Sequence, residues 1–219
     1  MDRQFDDELN ELKKNLLTMA SLVDDAIDRA IKSLVTRSDQ LAETVENADE
    51  QVDMLEITIE KQCLEFLARR QPMAMDLRFI TSVMKINSDL ERMADMAGNI
   101  AHKARILNKE PQLKPYIDIP EMSGRIRKML KDTVTALVDR NSELARKILE
   151  KDTEIDGLYV QVFREVLTYM MGDSGAIKRG MELILIAKNL ERMGDHITNI
   201  AEEIVYMVEA KTIKHHFEK

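Results

Sequence analysis

The chain has 219 residues, 33% of them charged and 4% aromatic, with fifteen methionines, no tryptophan, seven glycines and four prolines. Its formal net charge of −8 excludes a general nucleic-acid surface, which would be basic. High charge, abundant aliphatic residues and few breakers exclude a sheet-rich fold and predict long helices.

The first predicted helix opens in MDRQFDDELNELKK, which has no apolar signal core, and stops at RSDQ, residues 37–40. The second runs to RRQPMAMD at 69–76, with an apolar seam of Leu41, Val45, Ala48, Val52, Leu55 and Ile59. Asp49 and Asp53 each directly follow a seam residue. Cys63 takes a core position on this helix; as the lone cysteine it forms no disulfide framework and suits a reducing cytoplasm. The third helix spaces Val83, Ile86, Leu90, Met93, Ala97, Ile100, Ala104 and Leu107 by alternating threes and fours. It ends at KEPQLKPYIDIPEMSG, which holds three of the four prolines and reads as a linker between halves. A fourth helix stops at DRNSE (139–143), and a fifth, carrying Asp152 and Asp156, stops at GDSGA (172–176). The sixth repeats the seam with Leu183, Ile186, Leu190, Met193, Ile197, Ile200, Ile204 and Met207.

Six helices in a three-plus-three order predict an all-α chain of two tandem antiparallel three-helix bundles, residues 1–112 and 113–219. Their narrow stripes imply coiled-coil-like packing. No segment approaches the roughly 20 apolar residues of a membrane span.

LERMAD at 90–95 returns as LERMGD at 190–195, and the match extends to Ile86/Ile186, Asn99/Asn199, Ile100/Ile200 and Ala101/Ala201. Packing explains the apolar half of the repeat but not its Glu, Arg, Asp and Asn. Glu91 and Asp95 share a helix face four residues apart, a mildly destabilising arrangement for like charges. In an antiparallel hairpin, Asp53 with Glu91 and Asp49 with Asp95 both pair about Pro72, inside a predicted turn. In the second half Asp156 with Glu191 and Asp152 with Asp195 both pair between Asp173 and Ser174, inside another. Four carboxylates across a helix pair must be protonated, countered by bases or neutralised by cations. Oxygen-only ligands favour hard ions such as magnesium, manganese, calcium or iron over thiolate-bound zinc. Asn99, Asn199, Asp24 and Asp28 are further oxygen donors within reach of this scheme. The competing readings are ion pairs with Arg92, Arg192, Lys85 and Lys188, or an acidic surface for a partner protein.

His196 follows Asp195, but its counterpart is Met96, so a ligand role is not expected; His102, His215 and His216 show no partner spacing. Arg78 is placed to cap or salt-bridge the hairpin tip. There is no glycine-rich phosphate loop, and the absence of any E-x-x-H counts against a carboxylate-bridged di-iron enzyme. A metal-free helical scaffold would explain the seams but not the doubled carboxylate register.

RRQPMAMDLRF followed by DLERMADMAGNIA, then LTYMMGDSGAIKRG followed by NLERMGDHITNIAEEI, resemble the doubled signatures of the PhoU family over nearly the whole chain. The resemblance implies two three-helix bundles related by approximate two-fold symmetry. It implies multinuclear sites for iron, manganese, magnesium or zinc at Asp49, Asp53, Glu91 and Asp95, and at Asp152, Asp156, Glu191 and Asp195. It further implies a cytoplasmic, non-enzymatic regulator that restrains the high-affinity phosphate ABC transporter and phosphate-starvation signalling. The implied partners are the transporter's ATPase subunit, a membrane sensor histidine kinase and a second copy of the chain, with no nucleic acid. Two positions depart from the doubled pattern: Ala94 stands where the second half has Gly194, crowding the first site, and His102 has no counterpart.

Overall fold

The computed structural model describes residues 3–70 and 72–213. Their regular elements are α1 (Arg3–Val35), α2 (Asp39–Arg70), α3 (Ala74–Asn108), α4 (Asp118–Val138), α5 (Ser142–Leu149), α6 (Asp152–Gly172), a 3-10 turn (Ser174–Ala176) and α7 (Ile177–Glu209). No strand occurs among the described residues. The seams of α3 and α7 are buried along their whole length, from Val83 to Leu107 and from Leu183 to Met207. On α2, Val45, Val52 and Ile59 are buried while Leu41, Ala48 and Leu55 are only half-covered.

α1 and α4 end in the same way. Arg37 and Arg140 take the left-handed backbone, at φ 55° and 50°. The next amides reach back five positions, Ser38 N to the Ser33 carbonyl at 3.0 Å and Asn141 N to the Ala136 carbonyl at 2.9 Å.

Two expectations need correction. The predicted fifth helix is two helices: at Glu150–Lys151 the ladder gives way to three-residue bonds, Lys151 N to the Ile148 carbonyl and Glu154 N to the Lys151 carbonyl, both 3.1 Å. Asp152 and Glu154 then occupy the first turn of α6, where the helix dipole favours carboxylates. The linker is also shorter than the proline cluster, because Pro120 lies in the first turn of α4, where a missing amide hydrogen costs nothing.

The linker is fastened from both halves. Arg37 donates to the Asn108 and Glu110 carbonyls at 2.6 and 2.7 Å, and Arg179 to the Pro111 carbonyl at 3.0 Å. Lys114 is buried within it, 3.1 Å from Asp118 and also paired with Glu165 of α6.

α3 and α7 pack antiparallel at the centre. Lys103 meets Glu182 at 3.4 Å, Asp89 meets His196 at 2.8 Å and Ser82 donates to Glu203 at 3.3 Å, while Arg78 reaches the Met207 carbonyl at 3.4 Å. Arg78 therefore ties α3 to α7 instead of capping the hairpin tip. One register runs through these pairs, and it crosses residues 92–93 over 192–193, the two copies of the LERM phrase. Met93 and Met193 are fully buried there. The apolar half of the repeat is thus the seam where the halves join.

Arg127 of α4 grips Asp24 at 2.9 and 3.0 Å and also bonds Asp28, and Lys131 lies 3.5 Å from Asp24. Asp24 and Asp28 are consumed by this α1–α4 contact, so they add nothing to the α2–α3 carboxylates. His215 and His216 lie outside the described residues.

Cys63 is fully buried, and burial, reinforced by the nearby Glu60 carboxylate, pushes its thiol up to about 12. The folded protein is expected to resist Ellman's reagent at pH 8 and to release one reactive thiol per chain in denaturant. Rapid native labelling would show that α2 opens on the reagent's timescale.

Candidate functional site

The α2–α3 hairpin brings the first-half carboxylates together. Its register is held by Asn87 donating to the Glu56 carbonyl at 3.0 Å, Arg105 to Glu46 at 2.9 Å and Asn108 to Asp39 at 2.9 Å. Asp49 and Glu91 are half-buried on facing helices, while Asp53 and Asp95 are exposed. Burial raises the Asp49 carboxyl above its ordinary range, and repulsion from Asp53 and Asp95 raises it further. Burial likewise raises Glu91, with repulsion from Asp95, Glu56 and Asp53 adding to it and Arg92 opposing it. These mutual effects across α2 and α3 are what the shared centre at Pro72 predicted.

Glu56 is a member of the cluster that sequence reasoning missed. Its carboxyl is raised by burial and then by Glu60, Asp53 and Asp95, with Arg92 opposing. The signal was legible, since Glu56 lies three residues after Asp53 and seven after Asp49 and so shares their face. Beneath it, Asn87 is buried with its Oδ1 lacking any protein partner. Oxygen donors alone, crowded, mutually repelling and backed by an orphaned amide oxygen, fit a hard cation. Among the described residues no three His, Cys, Asp or Glu side chains close on a single point. Ligation therefore asks for rotamer changes, which Asp53 and Asp95 are free to make at the surface.

The second half has the same backbone plan and different neighbours. Asp152 begins α6 and presses against α7 at Gly194, where a Cβ would stand 2.7 Å from Asp152 Oδ1. Alanine at the matching position 94 leaves no such space on α3. The Glu191 carboxylate is taken by Lys188, whose ammonium is 2.6 Å from both oxygens. The same ammonium lies 5.4 Å from the Tyr159 ring centre. Its pKa is raised by the hydrogen bond to Glu191, against the opposing effect of burial, with smaller contributions from Tyr159 and Asp195. Asp156 and Asp195 are exposed.

The ion-pair alternative is thus realised at Lys188 but not at Lys85, which reaches across to Glu203 of α7 at 2.7 Å. Asn199 faces Asp89 at 3.5 Å, beside the Asp89–His196 contact, and is directed at α3 instead of the Asp152 group. His102 is 4.0 Å from Glu46.

The comparisons with known proteins agree with this doubled plan. A family model described as PhoU domain matches twice, over residues 16–104 and 119–204. The phosphate-specific transport system accessory protein PhoU homolog of Aquifex aeolicus is 43% identical over 208 residues, 95% of this chain and 94% of that protein. Its namesake from Pseudomonas putida is 36% identical over 216 residues, 98% and 84% of the two chains. The crystal structure of PhoU from Pseudomonas aeruginosa superposes with a TM-score of 0.91 at 35% identity, covering 94% of this chain and 99% of that one. The phosphate transport system regulatory protein PhoU from Streptococcus pneumoniae gives 0.89 at 32% identity, with 96% and 99% covered. With a domain repeat that brackets the linker, an all-helical fold shared with solved relatives and identity spread over the full length, the chain belongs to the PhoU family, a family of accessory and regulatory proteins and not of enzymes.

Proposed function

We propose that this protein is an accessory protein of phosphate transport that works by contact. It restrains the high-affinity phosphate ABC transporter through its ATPase subunit and holds phosphate-starvation signalling off through a sensor histidine kinase. In this reading it is a cytoplasmic homodimer, brought to the inner membrane by its partners; among the described residues no helix is long and apolar enough to cross a membrane itself. The names of its relatives support the transport role. The observation that carries the rest is the convergence of Asp49, Asp53, Glu56, Glu91 and Asp95 across α2 and α3.

Metal ions at this cluster complete the reading; Asp152, Asp156, Glu191 and Asp195 repeat the motif as the second candidate group, where Lys188 already bonds Glu191. Iron, manganese and magnesium suit the oxygen donors best, with zinc accepted less readily. Bound cations supply the positive charge that these carboxylates lack. Asp49, Glu56 and Glu91, half-buried on facing helices, would hold them, while Asp53 and Asp95 close over from the exposed side.

The test is elemental analysis of full-length protein purified without chelators or affinity-tag nickel. Wild type is expected to carry metal, and the Asp49/Asp53/Glu91/Asp95→Ala variant to lose at least half of it and to bind the ATPase subunit more weakly. Wild type that stays metal-free after soaking in each ion would overturn the metal reading.

The partner surface in this reading is the α6–α7 hairpin. Phe163, Leu167 and Met171 on α6, and Ile177, Met181 and Leu185 on α7, are large apolar side chains left exposed. Phe163 and Leu167 follow Asp156 by seven and eleven residues, so the apolar strip and the carboxylates share one face. A Phe163→Glu/Leu167→Glu variant is expected to bind the ATPase subunit at least about tenfold more weakly with little change in Tm, since neither side chain is in the core. Unchanged affinity would move the contact elsewhere.

A further inference from the structure

The two carboxylate groups share a backbone plan and differ in what surrounds them. Aligning Asp49 with Asp152 and Glu91 with Glu191 sets Ser88 against Lys188, Glu56 against Tyr159 and Glu60 against Phe163. The first half therefore gathers six acids, with Arg92 as the nearby cation. The second keeps four acids and adds a lysine. That lysine is not free on the surface. Its ammonium contacts both oxygens of Glu191 at 2.6 Å, and the Tyr159 ring lies 5.4 Å from it, where the first half has a carboxylate.

We propose that Lys188 is the resident cation of the second group, so that the two halves are unequal: metal ions enter the first group, and an ammonium stands in for them at the second. The proposal rests on the reading of the first carboxylates as a metal site. Its physical basis is competition for the same oxygens. A divalent ion approaching Glu191 must displace an ammonium already bonded to both oxygens, or share the site with a like charge a few ångströms away. Tyr159 opposes the displacement by offering its ring to the ammonium and no carboxylate to the ion. At Asp49 and Glu91 the balance is reversed, because burial and crowding already penalise the free carboxylates and an arriving ion relieves that penalty. The repeated motif, taken alone, makes the halves look interchangeable; the side chains three residues before each repeated glutamate make them different.

Manganese titration of full-length protein stripped with chelator decides the matter, read by elemental analysis and electron paramagnetic resonance. Relative to wild type, the Asp49/Asp53/Glu91/Asp95→Ala variant is expected to lose nearly all tight manganese, and the Asp152/Asp156/Glu191/Asp195→Ala variant to lose little. Lys188→Ser, which copies the first half, should raise the stoichiometry and strengthen second-half binding by about tenfold or more. Lys188→Gln keeps a polar chain over Tyr159 and should act in the same direction if charge is the cause. Ser88→Lys should weaken the first site. Equal loading of both halves in wild type, or titration curves unmoved by Lys188→Ser and Lys188→Gln, would overturn the inequality while leaving the metal reading intact. Binding of no ion by wild type or by either lysine variant would overturn both.

Discussion

Replacing Lys114 with methionine is expected to cost about 3 kcal/mol of folding stability, at the lower edge of what breaking a buried ion pair costs. The Lys114 side chain is 4% exposed and the Asp118 side chain 10%. Without the ammonium, Asp118 keeps only the Gln161 amide at 3.0 Å and becomes a covered carboxylate without a countercharge. Glu165, 41% exposed, can turn to water, which holds the cost below the upper range. For a chain of this length the loss corresponds to a Tm lower by roughly 6–12 °C. The double variant Lys114→Met/Asp118→Leu should recover much of it, because a buried pair exchanged for apolar side chains is often neutral. No recovery would mean that the lysine acts by packing its stem in the linker.

The pH dependence of this contact has a definite sign. Burial works against the Lys114 ammonium, but the hydrogen bonds it donates to Glu165 and Asp118 outweigh it and leave the pKa above its ordinary value. A group raised in the folded state contributes its stability below its unfolded pKa and loses it as pH rises through the folded one. The difference between wild type and Lys114→Met should thus be flat across neutral pH and shrink as pH rises into the alkaline range beyond an ordinary lysine.

Leu190→Ala is expected to cost about 2–5 kcal/mol, or roughly 10 °C in Tm. Leu190 is fully buried on α7, one helical turn before Met193, where the repeated phrases of α3 and α7 cross. α7 packs against α3, α4, α5 and α6 together, so no single neighbour can collapse into the space left behind. Urea unfolding should show a lower midpoint with an unchanged m value. Leu185→Ala on the exposed strip is the control, with an expected change below about 1 kcal/mol. Equal losses at the two positions would show that the α6–α7 face is covered in solution.

The hairpin register of the site was legible because it depends on two things a sequence displays: helical spacing, and the number of residues on either side of a turn. Pro72 and the Asp173–Ser174 step could be recognised as turn centres, and the pairing of Asp49 with Asp95 followed from counting. Glu56 escaped because it has no acidic partner in the second repeat, although its spacing from Asp49 and Asp53 was in plain view. The break between α5 and α6 was readable from the polar run Glu150–Glu154, which interrupts the apolar pattern between Leu149 and Ile155 and supplies the acidic first turn of α6, but it holds no proline or glycine to mark a stop.

By itself, the sequence determined the all-helical class, the two-part order, the apolar seams and the alignment of carboxylates within each hairpin, because all of these are set by spacing along one chain. Tertiary structure alone decided which charges neutralise which. Asp24 and Asp28 looked available until Arg127 of α4 was found beside them, and Lys85 and Lys188 looked alike until one bonded Glu203 and the other Glu191. Side chains of this length reach several ångströms in any direction, so their partners depend on which helix lies opposite. Helix packing settles that, and periodicity does not.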